Sequence, residues 1–184
     1  MKKVLQKVSP YIIYFTLYSI IGWLYEVFLE VIVYKWGFTN RGVLFGPYCP
    51  VYGFGALLFI FLVYPLIRKE NLKKKIIMIP IVFLLCMLSA TVLELLTSYL
   101  CEFFLGSWPW QTYASYKYNF QARIALSPSL RFGLGGLLFL YLLQPIFEKI
   151  VHNRKKENID VIAVIIVIIF LLDILYTLGN KILL

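Results

Sequence analysis

The sequence predicts an all-α integral membrane protein, a single domain over residues 1–184 built as a bundle of about five transmembrane helices. Its amino terminus is expected in the cytoplasm, its carboxyl terminus outside, and two structured loops on the outer side. Three observations lead there. The chain is 61% hydrophobic with a mean hydropathy of +0.83, above the composition of ordinary soluble domains. Five apolar runs, 10–33, 51–67, 76–104, 129–147 and 159–178, approach or exceed the ~20 residues that carry a helix across a bilayer. The net charge of +9 is also unevenly spread. Twelve Lys and Arg residues lie in the amino-terminal segment and in the stretches 68–75 and 149–156, against six in the remaining loops and the carboxyl terminus. The richer side is the cytoplasmic one, where the basic runs also meet anionic lipid. This bias accounts for the charge without a nucleic-acid partner.

The first run follows Met1-Lys2-Lys3 but is too long for a signal peptide, contains Glu26 and lacks a small-residue cleavage site, so it reads as a retained helix. The connection after it, Thr39 to Gly55, packs one arginine, four glycines and two prolines into a short stretch at the membrane surface. Such backbone is tolerated there when it is covered by protein or lines a wet cavity. Pro50 suits the start of the second helix, where its missing N–H costs little. The glycines of this loop are not followed by Lys-Ser or Lys-Thr and do not make a phosphate loop.

The second connection, roughly 106–128, carries Trp108, Trp110, Tyr113, Tyr116, Tyr118 and Phe120, then Asn119 and Arg123 near its end. It reads either as an aromatic belt at the interface or as a partly re-entrant lid over a ligand, with Arg123 as its charge anchor. Gly53, Gly55, Gly133, Gly135 and Gly136 are expected at close helix contacts.

The acids make a second pattern. Counted from the cytoplasmic start of each run, Glu26, Glu94 and Asp173 lie about 24, 27 and 21 Å deep at the helical rise, in the outer half of a ~30 Å core. Thr16, Ser19, Trp23, Glu26 and Glu30 advance by threes and fours, as do Thr91, Glu94, Ser98 and Glu102, and Asp173, Thr177 and Asn180, so each set shares one helix face. A face with an ionisable group turns to the bundle or to water. The expected site is therefore outward-facing and polar, with Glu26, Glu94 and Arg41 at its centre and Asn40, Asn119 and Arg123 closing it. At least one ion pair is expected between Glu26 or Glu94 and Arg41 or Arg123. The competing reading is that these charges only lock helices together.

The three cysteines, Cys49, Cys86 and Cys101, lack metal-site spacing, and His152 is the sole histidine. Neither metal nor another cofactor is expected, and His152, on the cytoplasmic side, is misplaced for a serine–histidine triad at the outer site. An acid–base pair of Glu26 with Glu94 stays open.

Gly22-Trp23-Leu24-Tyr25-Glu26, then Asn40-Arg41-Gly42, Gly46-Pro47, Pro50 and Tyr52-Gly53-Phe54-Gly55, followed by Glu94, Trp110, Asn119 and Arg123, resemble the motifs of a family of small bacterial membrane proteins described as ABC-transporter type IV permeases. The resemblance covers most of the chain. It departs in the second loop, where Gln111 stands in place of an acid and Ala122 in place of a glycine. It implies a multi-pass protein of the bacterial plasma membrane, associated with transport; the charges gathered in the expected site point to a small polar ligand or a lipid headgroup. Membrane lipid, an ATPase or larger membrane subunit, and further copies of the chain are the implied partners. The short basic loops 68–75 and 148–158 offer an ATPase little surface. Two alternatives accompany this reading: an integral-membrane enzyme acting on an outer-leaflet lipid or envelope intermediate, and a structural or assembly subunit.

Overall fold

The computed structural model describes residues 2–182, most of which are helical. Four helices are long and apolar enough to cross a membrane: Lys3–Val33, Ile79–Phe104, Leu126–His152 and Lys156–Asn180. The apolar helix Pro50–Leu66 is shorter. The chain groups into two compact units, Met1–Leu57 with Ile146–Leu184, and Leu58–Pro145.

In the first unit, α1 (Lys2–Phe28) starts earlier than the expected 10, with Pro10 inside it. Pro10 removes one backbone bond, while the lysine stems and Leu5 before it favour helix. α1 ends in a wider π turn, Leu29–Val33, where Tyr34 N donates to Leu29 O at 2.8 Å. Lys35 (φ 56°) and Gly37 (φ 90°) then turn the chain away. α2 (Pro50–Leu62) starts at Pro50, as expected. Its first turns lie against α1 because two glycines permit it. A Cβ on Gly22 would collide with the Tyr52 ring, and one on Gly53 with Phe15 and Ser19. The last helix of the chain, α7 (Lys156–Ile182), packs on α1 through Phe15 and Phe170, ring centroids 5.6 Å apart. At the far end of that contact Ser9 Oγ donates to Asp160 Oδ1 at 2.7 Å, both residues buried. This buried polar pair was not expected from the sequence.

In the second unit the expected run 76–104 divides. A short α3 (Leu72–Ile77), whose N-cap Asn71 accepts from Lys74 N at 2.9 Å, precedes α4 (Ile79–Leu105). Pro80, at the first turn of α4, cannot donate back into α3, so the ladder breaks there. Gly106 closes α4 in the left-handed region (φ 76°), the usual helix C-terminal device. The fourth span is one path with a π turn in it: α5 (Leu126–Leu138), Phe139–Leu143, then α6 (Gln144–His152), the last residues of which belong to the first unit. The π turn ends just before Pro145, where the ladder lacks a donor. α5 runs beside α4. Gly133 faces Phe83 and Gly136 faces Cys86 with no room for a Cβ.

The all-α expectation takes one amendment. β1 (Asn119–Phe120) and β2 (Ile124–Ala125) form a small antiparallel hairpin, pairing Asn119 with Ala125 and Phe120 with Ile124. Gln121 (φ 53°) and Ala122 (φ 55°) make its turn, closed by Arg123 N donating to Phe120 O at 2.9 Å. Two positive φ values in a row are the geometry of the mirror-image turns that match strand twist.

Candidate functional site

In the first unit the loop between α1 and α2 is gathered by two acids. Glu30, in the π turn and 3% exposed, accepts from Thr39 Oγ1 at 2.6 Å, Thr39 N at 3.2 Å and Arg41 Nε at 2.9 Å. A buried carboxylate needs such donors, and the arginine also neutralises it. Asp173 of α7 accepts from the backbone of Phe45 (2.9 Å) and Gly46 (2.8 Å), from Thr177 Oγ1 (3.1 Å) and from the Tyr48 hydroxyl. Burial, reinforced by that carboxylate, holds the Tyr48 phenol well above the usual tyrosine range. Asn40 joins the loop to α1: its Oδ1 accepts from Trp23 Nε1 at 2.8 Å and its Nδ2 donates to Phe45 O at 2.7 Å. Glu26 accepts from the Tyr52 hydroxyl. Beside it, burial and then the Glu26 carboxylate push the Cys49 thiol up to about 11.

In the second unit Arg123 is the centre. It is 7% exposed and its guanidinium lies between the rings of Tyr99 (4.1 Å) and Trp108 (4.0 Å). Nη2 meets Glu102 Oε2 at 2.5 Å and Nη1 meets Ser98 Oγ at 3.4 Å. The loop is sewn on by two indoles, Trp108 donating to Ala122 O (3.0 Å) and Trp110 to Arg123 O (2.8 Å). Asn119 serves the turn itself, donating to Tyr116 O at 2.7 Å and accepting from Ala122 N at 3.1 Å. Glu94 accepts from the Tyr113 hydroxyl at 2.8 Å. Its other oxygen is buried without a hydrogen-bond partner among the described residues.

The arginines therefore pair with Glu30 and Glu102, not with Glu26 or Glu94. The chosen acids stand one and two turns further along the same helix faces, at the ends where the loops return. An ion pair there needs a shorter reach and less desolvation. The deeper acids, Glu26 and Glu94, are met by phenols and take no cation among the described residues. Sequence reading placed Glu30, Glu102 and Asp173 on polar stripes without making them partners, named Tyr52 and Tyr113 without pairing them with acids, and missed Tyr48, since tyrosines are common at interfaces. The spacing of Glu26 to Glu30 and of Glu94 to Glu102 was the signal that carried the information. Cys49, Cys86 and Cys101 are free thiols.

A family model described as "Putative ABC-transporter type IV" matches residues 13–178. No curated protein and no solved structure matches the chain.

Proposed function

Because the chain belongs to the family described as "Putative ABC-transporter type IV", we propose that it is the membrane subunit of a transport system, with an outward-facing polar site for a small polar solute or a lipid headgroup. The observation that carries the proposal is the state of the two deep acids. Glu26 and Glu94 sit in apolar helices, each held by a tyrosine hydroxyl and neither neutralised by a cation. A carboxylate at such depth is costly, and functional use is its default explanation. A phenol orients the carboxylate without cancelling its charge, which leaves it able to take a proton or a donor-bearing ligand. In this reading Asn40 and Arg41 fix the first loop beside Glu26, and Asn119 and Arg123 fix the second beside Glu94.

The basic segments face the cytoplasm of a bacterial cell, and their shortness assigns ATP hydrolysis to a partner subunit or to an assembly of several copies. Purification from native membranes, followed by mass spectrometry, tests this. A stoichiometric ATPase is the expected result. Its repeated absence from otherwise intact complexes overturns the transport reading.

A second reading, a structural or assembly subunit, is favoured by the partners that Arg41, Asn40, Asn119 and Arg123 already hold within their own loops and adjoining helices. Glu94→Gln separates the two. Normal abundance with loss of the cellular phenotype supports a ligand site. Reduced abundance and thermal stability, with the phenotype following abundance, supports a structural role.

A further inference from the structure

α4 extends well past the beginning of α5. Thr91 Oγ1 donates to Ser129 Oγ at 2.7 Å, and Gly133 and Gly136 meet Phe83 and Cys86, both earlier on α4 than Thr91, so α5 runs back along α4. The first turn of α5 therefore lies level with Thr91. Leu105, the end of α4, is fourteen residues further on, about 21 Å at the helical rise. Over that length α4 keeps an exposed apolar face, Leu96, Leu100, Phe103 and Phe104, of the kind that meets lipid.

The flank that α5 does not reach is covered by the loop after Gly106. Tyr113 touches Glu94 and Arg123 touches Ser98, Tyr99 and Glu102. Non-helical backbone at such depth must be satisfied within the protein. The hairpin does this through its strand pairing, its turn bond and the two indole donors.

Between the hairpin and α5 lies a recess of about 240 Å³, lined by Tyr118, Asn119, Phe120, Ile124, Leu126 and Ser129 among others. Its amide and serine hydroxyl are already engaged, Asn119 with the turn and Ser129 with Thr91. What remains is mostly apolar wall. The volume falls below the ~300 Å³ at which small-molecule pockets begin, so it suits a piece of a chain better than a whole solute. Ser129 in its wall is level with Thr91, and the hairpin reaches Ser98 and Glu102, so the recess lies along the stretch of α4 that carries Leu96 and Leu100.

We propose that the hairpin and the first turn of α5 lie within the hydrocarbon layer, and that the recess seats an acyl-chain segment of a membrane lipid. This holds whether or not the chain transports anything, because it rests on the register of α4 and α5 and on the lining of the recess. The full chain, reconstituted with phosphatidylglycerol carrying a diazirine in mid-chain, is irradiated and its adducts mapped by peptide mass spectrometry. Adducts on Phe120, Ile124 or Leu126 are expected, in addition to those on Leu96 and Leu100. Adducts on α4 with none in 118–129 overturn the proposal. Ile124→Trp, which fills the recess, abolishes the 118–129 adducts and leaves those on α4. Persistence of both sets in a folded Ile124→Trp protein, judged by gel-filtration profile, also overturns it. A nitroxide placed at Phe120 gives an independent reading of depth. Greater accessibility to oxygen than to a water-soluble nickel chelate is expected, and the reverse overturns the placement.

Discussion

The loop of 34–49 and the loop of 106–125 address one physical problem with opposite chemistry. Each must return an irregular chain to the membrane and satisfy its own polar backbone. The first is held by acceptors on helices, with Glu30 and Asp173 collecting amides, hydroxyls and a guanidinium from the loop. The second relies mainly on its own donors and on ring faces, with two indoles on loop carbonyls and Arg123 between Trp108 of the loop and Tyr99 of α4, beside the loop's bonds to Glu94 and Glu102. The first arrangement depends on charge at a few atoms, the second on packing spread over large surfaces. Loops of equal order can thus be expected to fail for different reasons.

The largest effect is expected where the second loop concentrates its contacts. Arg123→Ala removes both ring contacts and the pair with Glu102. It is expected to cost about 3 kcal/mol, the low end for breaking a buried pair because Glu102 stays partly in solvent. Thermal unfolding in lipid nanodiscs measures it. Arg123→Lys keeps the charge but not the planar fork, and is expected to restore less than half the loss. Full restoration by lysine removes the packing half of the comparison.

Next comes Gly22→Ala, which drives a methyl into the Tyr52 ring behind the first loop and is expected to cost about 2 kcal/mol, as overpacking does. Hydrogen exchange should then rise in 34–49 and stay unchanged in 106–125. Asp173→Asn keeps an acceptor but removes its charge, which about halves the strength of such bonds. Amide exchange at Phe45 and Gly46 is expected to accelerate about tenfold, with no change at Ala122 or Arg123. Equal acceleration in both loops ends the distinction.

The smallest effect concerns reactivity rather than stability. With its thiol pushed up to about 11, first by burial and then by Glu26, Cys49 keeps its proton at neutral pH, and the attacking thiolate is scarce. Maleimide is expected to label the less buried Cys101 first, with Cys49 gaining only as pH rises toward 11. Rapid labelling of Cys49 at neutral pH means the first loop opens more readily than its acid anchors suggest.

Apolar runs and polar stripes were legible in the sequence because hydropathy and the three-to-four spacing are local properties. Glu26, Glu30, Glu94 and Glu102 could be placed on their faces from spacing alone. Partner choice was not legible, because it depends on where each loop returns, and that is set by the π turn at Leu29–Val33 and the positive φ of Lys35 and Gly37. The hairpin was hidden for a related reason. Gln121-Ala122 occupies a turn that usually advertises itself with Asn-Gly, and indole bonds and strand pairing hold it in place of residue preference. Ser9 with Asp160 escaped notice because a short acid among lysines at the end of a span looks like surface charge.

The division of the chain also has a consequence in time. The second unit is built from neighbours in sequence, so its helices can meet as soon as they are made. The first unit is not, since Ser9 and Asp160 are separated by 151 positions. At ~5–20 residues per second of synthesis, about 8–30 s pass between them. During that interval α1 is in place without the helix that receives Ser9 and without the aspartate that closes its loop. Of the two units, the one that holds α1 is therefore the later to be finished, and quality control would be expected to act on this waiting helix.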